Sequence, residues 1–176
     1  SLRRLFASLP ASKAENLKMS AFSYNNKQGA CPTCQGLGSI SLDLQYLPDM
    51  EQVCPTCHGR RFASKILKIK WHNYSIADIL ELSVNDAISI FAQEKKILRE
   101  LDLLKQVGLG YLHLGESTPE LSGGEAQRLK LTKHLLKSCK QTFFVFDEPS
   151  IGLHPSDVQI LLKVLRHLQA KGATII

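Results

Sequence analysis

Leu121-Ser122-Gly123-Gly124-Glu125-Ala126-Gln127-Arg128 and, after a leucine-rich stretch, Phe143-Phe144-Val145-Phe146-Asp147-Glu148-Pro149-Ser150-Ile151-Gly152-Leu153-His154 decide how this chain is read. The first piece predicts a glycine turn opening a helix. Gly123 and Gly124 let backbone N–H groups approach an anion, and the helix N-terminus adds partial positive charge. Ser122 adds a hydroxyl donor. The second piece is four apolar residues ending in two carboxylates, which suits a buried parallel strand delivering charge at its C-terminal edge. There Asp147 is placed to hold a hydrated magnesium ion and Glu148 to polarise a water. A capped turn without a ligand accounts for Ser-Gly-Gly taken alone. It does not account for that turn followed by a strand and Asp-Glu-Pro.

The pair resembles the signature and Walker B motifs of the ABC-type ATPases. Around it the periodicity predicts an α/β layer. A helix is expected over about residues 94–107, with Ile97, Leu101 and Leu104 on one face and Gly108 ending it. Another runs from Glu125 to about Lys137. A third starts near Pro155, with Val158, Leu161, Leu165 and Leu168 apolar, and Gly172 stops it before a strand beginning at Ala173. Ser75 and Ser83 are placed as N-caps, with Asp78 and Asp86 three residues on. The order helix, strand, helix, strand implies a parallel sheet.

The first part of the chain is different. Cys31-Pro32-Thr33-Cys34 and Cys54-Pro55-Thr56-Cys57 stand 19 residues apart, a spacing that suits a four-cysteine zinc site. Four thiolates leave no open position, so such a zinc is structural. Gly36, Gly38 and Gly59 follow the pairs, where tight turns aim N–H groups at sulfur. Disulfides or a redox dithiol are the alternative use of paired thiols. Cys139 stands apart. Ile40, Leu42, Leu44 and Tyr46 alternate with polar residues and predict a half-buried strand, with a turn at Leu47-Pro48-Asp49. Leu67, Ile69 and Trp71 alternate with Lys68, Lys70 and His72 and predict a second. Residues 2–9 read as a short helix, and Pro10 to Ser20 as a connector.

Charge separates the two parts. Residues 1–75 hold ten Lys/Arg against four Asp/Glu, and residues 76–176 hold twelve of each. The basic half is the candidate for a polyanion partner. Arg60, Arg61, Lys65, Lys68 and Lys70 cluster beside the second cysteine pair and are the candidate phosphate contacts. No apolar run approaches the roughly 20 residues of a membrane span.

Zinc module and signature together resemble the C-terminal half of the UvrA family, the ATPase subunits of the bacterial excinuclease. Phe22-Ser23-Tyr24-Asn25, Tyr46-Leu47-Pro48-Asp49, Val107-Gly108-Leu109-Gly110-Tyr111 and Asp147-Glu148-Pro149 through Gly152-Leu153-His154 carry the resemblance, with the two longer motifs. It implies a partial ABC-ATPase head, a helical signature region plus an incomplete parallel sheet, joined to a small β-rich zinc module. The expected segments are a connector (1–20), the zinc module (21–75), the helical signature region (76–140) and the Walker B part (141–176). It also implies a nucleotide-excision-repair ATPase of the bacterial cytoplasm that binds damaged double-stranded DNA, dimerises and meets a UvrB-type helicase. Ser122, Gly123, Gly124, Glu125 and Gln127 would face the ATP of an opposing head. Asp147 and His154 would serve ATP and magnesium, and Glu148 would be catalytic.

Two departures qualify this. Gly110 to Ser117 has the glycine spacing of a Walker A loop, but Glu116 stands where the phosphate-binding lysine belongs, and an acid there repels phosphate. The chain also ends at Ile176, before the histidine-bearing switch loop of that family; lacking an initiator Met and stopping in an apolar run it reads as a fragment, and without a Walker A loop it is expected to be inactive alone. Ser150-Ile151 leaves a UvrA paralogue open. The competing readings are a transporter-type nucleotide-binding domain and a DnaJ-like zinc module, because Cys31 to Gly38 also matches the Cys-x-x-Cys-x-Gly-x-Gly repeat of those co-chaperones.

Overall fold

The computed structural model describes residues 1–42, 50–117, 119, 121–135, 142–147, 149–150 and 155–176. The expectations for Leu44, Tyr46, the Leu47-Pro48-Asp49 turn, Cys139, Glu148 and His154 lie outside the described residues. The chain divides into two compact units, Ser1–Glu81 and Leu82–Ile176.

In the first unit, α1 (Leu2–Ser8) buries Phe6 against Phe22, with ring centroids 5.5 Å apart. The expected connector is more ordered than its polar composition suggests. Pro10 opens a second helix, α2 (Pro10–Ala14), as proline does at a first helical position. The fully buried Ser12 hydroxyl donates to the Phe6 carbonyl at 2.6 Å, an oxygen that also accepts from Leu9 N at 3.2 Å where α1 ends. Strands β1 (Ser39–Leu42) and β2 (Met50–Val53) pair antiparallel, Ile40 opposite Gln52.

The expected strand over 67–72 is corrected. Ser64–Leu67 form a short helix, α3, and Lys68 closes it with helical dihedrals. Only Lys70–Trp71, as β3, are extended, paired with β4 (Tyr74–Ser75). His72 and Asn73 between them have φ of +46° and +70°, the two left-handed residues of a tight hairpin. The alternation that suggested a strand spans a helix end and a reversal. Ser75 then caps α4 (Ile76–Leu80) in a capping box: Asp78 N donates to Ser75 Oγ at 3.2 Å, and Ser75 N to Asp78 Oδ2 at 2.7 Å.

The second unit follows the sequence reading closely. Ser83 caps α5 (Val84–Ile90), and α6 (Lys95–Gln106) buries Ile97 and Leu101. Gly108, at φ +75°, stops α6. Next come α7 (Gly123–Leu135), β5 (Phe143–Phe144), α8 (Pro155–Ala170) and β6 (Thr174–Ile175). β5 and β6 pair in parallel, Phe143 with Thr174 and Phe144 with Ile175, so β5, α8 and β6 form a βαβ crossover. Leu103, Val107, Leu131, Leu161, Val164 and Leu168 make the core, with Phe144 and Phe146 packed on it. The buried strand expected over 143–146 is buried on one side only. Phe143 and Val145 are 68% and 75% exposed on the alternate positions, as the period of two requires when one sheet face is covered.

Candidate metal centre and nucleotide-facing turn

The metal centre is two copies of one knuckle facing each other. In each, the Cys-Pro-Thr-Cys turn is followed by two left-handed residues, Gln35-Gly36 in the first and His58-Gly59 in the second. A side chain at Gly36 would put a Cβ 2.0 Å from the Tyr24 carbonyl oxygen, so no other residue fits there. Four residues beyond the last cysteine of each pair stand Gly38 and Arg61, both at positive φ, +89° and +66°. Their roles match. Cys54 N donates to Gly38 O and Cys31 N to Arg61 O, both at 2.9 Å. Gly38 N donates to Cys34 Sγ at 3.2 Å, and Arg61 N to the Cys57 sulfur. Each knuckle thus closes the other, and Thr33 and Thr56 meet hydroxyl to hydroxyl at 2.7 Å.

This arrangement brings all four sulfurs together. They are buried, none is in a disulfide, and all lie within 4.8 Å of one another. Cys31 to Cys54 is 3.9 Å and Cys34 to Cys57 is 3.6 Å. A tetrahedron with metal–sulfur bonds near 2.3 Å has edges of about 3.8 Å. Both distances fit that figure and exceed by far the roughly 2.05 Å of a disulfide. Burial raises the Cys54 thiol, but N–H groups of Cys57 and Thr56 and the neighbouring thiols outweigh it and bring it down to about 7. Cys57 goes the other way. Burial and the thiols of Cys34, Cys54 and Cys31 push it up to about 12, against the Arg61 N–H. Buried sulfurs this close cannot all ionise unaided, and a divalent cation would supply the missing positive charge. The four cysteines can hold one such ion.

The basic cluster proves to be of two kinds. Lys65, Lys68 and Lys70 are exposed. Arg60 instead pairs with Asp78 and donates to Ser75 Oγ at 3.1 Å. Arg61 lies over the Tyr24 ring, 5.3 Å from its centroid. The second knuckle is thereby tied to the cap of α4. Lys68 and Lys70 do not share a strand face, because Lys68 belongs to the end of α3.

In the second unit Ser122 and Glu125 cap α7 reciprocally. Ser122 N donates to Glu125 Oε2 at 2.7 Å, and Glu125 N to Ser122 Oγ at 3.3 Å. Ala126 N donates to Ser122 O at 2.9 Å and starts the helical ladder. Ser122 Oγ thus accepts from Glu125 N, and its hydroxyl also bonds the Glu125 carboxylate. Ser122 and Gly123 are exposed, Gly124 and Gln127 half-buried. A Cβ at Gly123 would meet nothing within 4 Å. Among the described residues, nothing in the unit's packing requires glycine there. Tyr111, to which the sequence reading assigned no role of its own, donates its hydroxyl to Glu125 Oε1. That bond, the Ser122 contacts and the charge of Arg128 hold the Glu125 carboxyl below its ordinary range, against partial burial.

Asp147 is exposed just beyond β5. Gly110 to Ser117 forms no phosphate cradle. Gly110 packs against the Asn85 side chain, and Glu116 Oε2 accepts from His113 N at 3.3 Å and faces its Nδ1 at 3.4 Å. Its acid closes its own turn.

No family model matches the chain. Individual proteins do. UvrABC system protein A of Mycoplasmopsis pulmonis is 44% identical over 99% of this chain. That of Aquifex aeolicus is 43% identical over the same share. The crystal structure of UvrA2 from Deinococcus radiodurans superposes with a TM-score of 0.87 at 45% identity, again over 99% of the chain. This chain is a UvrA segment. It spans 19% of each of those two UvrA sequences and 22% of the UvrA2 chain. Neither the transporter-type nor the DnaJ-like reading is favoured, since UvrA relatives match the cysteine module and the signature region as one continuous piece.

Proposed function

We propose that this UvrA segment works inside a DNA-damage-recognition ATPase of bacterial nucleotide excision repair. The single observation behind this is the joint one: a four-thiol metal centre and an open, capped Ser-Gly-Gly turn on a chain that matches UvrA end to end. The metal is zinc, held by Cys31, Cys34, Cys54 and Cys57, and it is structural because all four positions are taken by protein. Ser122, Gly123 and Gly124 donate to the γ-phosphate of an ATP bound on an opposing head, with Glu125 and Gln127 shaping the turn. Asp147 holds magnesium through water, Glu148 orients and polarises the attacking water, and His154 links the two sites. Phosphoryl transfer needs such positioning and charge stabilisation more than covalent chemistry.

The exposed Lys65, Lys68 and Lys70 contact phosphates of damaged double-stranded DNA without reading sequence. Arg60 and Arg61, held by Asp78 and Tyr24, add to the positive charge of that part of the chain. The complete protein dimerises, meets a UvrB-type helicase and acts in the cytoplasm. The segment alone does not turn over ATP, because Gly110 to Ser117 offers the phosphates no lysine and no nest of N–H groups. The test is Glu148→Gln in the complete protein. ATP should still bind while hydrolysis at this head falls by about a hundredfold or more. Unchanged turnover would remove Glu148 from the chemistry.

A further inference from the structure

Glu125 poses a problem for a turn that receives a phosphate. Its carboxylate sits in the first turn of α7, beside the N–H groups that the anion needs. Left loose, it would occupy those donors itself and repel the ligand. The structure shows where it goes instead. One oxygen accepts from Ser122 N at 2.7 Å, and the other accepts from the Tyr111 hydroxyl. Tyr111 reaches in from the loop that follows α6 and is itself 56% exposed.

We propose that Tyr111 is a positioning residue for the nucleotide-facing turn, holding the Glu125 carboxylate in its capping place and off the N–H groups of Gly123 and Gly124. This rests on the signature reading above. With Tyr111 in place, Glu125 is fastened at both oxygens, so its charge is spent on a backbone N–H that already points into the cap and on a phenol. Among the described contacts, neither oxygen accepts from Gly123 or Gly124. The buried Arg128 adds positive charge that favours the ionised Glu125.

The experiment is ATP hydrolysis by the complete protein carrying Tyr111→Phe, Gly123→Ala, Glu125→Gln, or Tyr111→Phe with Glu125→Gln. Tyr111→Phe frees one carboxylate oxygen and should raise the KM for ATP about fivefold with kcat little changed, because the repulsion acts on bound phosphate throughout. The penalty should shrink as salt rises, as an exposed charge effect does. Measured in the Glu125→Gln background, where no charge remains to be restrained, Tyr111→Phe should have no effect. A Tyr111→Phe penalty that persists in that background, or ignores salt, would make Tyr111 a packing residue and overturn the proposal. Gly123→Ala separates this from the underlying reading. The fold has room for that methyl, so only an arriving nucleotide would meet it. Loss of turnover in Gly123→Ala with none of the Tyr111 behaviour sinks this inference alone. Wild-type turnover in Gly123→Ala sinks the signature reading itself.

Discussion

Asp78 shows how much one residue organises in the first unit. Its carboxylate accepts from Ser75 N at 2.7 Å, completes the α4 cap and pairs with Arg60 from the second knuckle. Burial raises its pKa, but the Ser75 bonds and the charges of Arg60 and Lys70 outweigh this and lower it. A carboxyl with a depressed folded pKa contributes stability above its unfolded value, near 3.9, and loses it as pH falls through the lower folded value. Asp78→Asn keeps a capping acceptor and removes the charge, so it should cost about 1 kcal/mol at pH 7. The difference should fade as pH falls below the unfolded carboxyl value and through the lower folded one, where wild type protonates too. Urea unfolding at several pH values reads this directly, and a cost that stays constant into acid would mean that charge is not what Asp78 supplies. The Ser75–Asp78 spacing announced this cap, because a capping box is local in sequence. Arg60 as its partner was not legible. An arginine beside a cysteine pair looks the same whether it faces phosphate or a carboxylate 18 residues away. Arg61 was hidden for another reason: its left-handed φ belongs to the repeat's glycine position, which only the first knuckle fills with glycine.

Elements were legible where one helix face carries the signal. The Ile97, Leu101 and Leu104 face of α6, its stop at Gly108, and the start and stop of α8 all came from period and capping. The 67–72 segment did not, because an i, i+2 alternation over six residues cannot distinguish a strand from a short helix joined to a hairpin. The exposed face of β5 was equally unreadable, since four consecutive apolar residues look alike whether one side or both is covered. At the α6 stop, sequence and packing requirements coincide. Gly108 sits at φ +75°, and a Cβ there would lie 2.7 Å from Ile160 Cδ1 of α8. Gly108→Ala therefore combines a left-handed penalty with a forced rotamer change at Ile160. Together these should destabilise the second unit by about 2 kcal/mol. Thermal unfolding of that variant should show a clear drop in midpoint. No drop would mean that the α6–α8 contact yields without cost.

For the whole molecule, the cysteine knuckles and the second unit rest on different physics. Leu82–Ile176 has a leucine-rich core shared by α6, α7 and α8, and burial of such side chains supplies about 1.5–3 kcal/mol each against the entropy of ordering the chain. Around the cysteines of Ser1–Glu81 the packing is thinner. The buried cluster there is the four sulfurs themselves, with only Ile40 packed on it among the described residues. β1 and β2 are four residues each, and a lone two-stranded hairpin is marginal in water. Metal binding is therefore expected to carry much of the stability of the two knuckles, beside the separate apolar burial of Phe22, Phe62, Ile66, Ile76 and Ile79 in the same unit. Titrating the protein with a strong chelator at neutral pH, in reducing buffer, should release one zinc per chain. Hydrogen exchange should then speed up across residues 30–62, while the amides of α6, α7 and α8 keep their protection. Acid should release the metal as the thiolates protonate, in the same order. Uniform loss of protection in both units would show that the metal supports a single cooperative fold. Unchanged protection around the cysteines would show that the crossed knuckle hydrogen bonds of Gly38 and Arg61 hold the site without it.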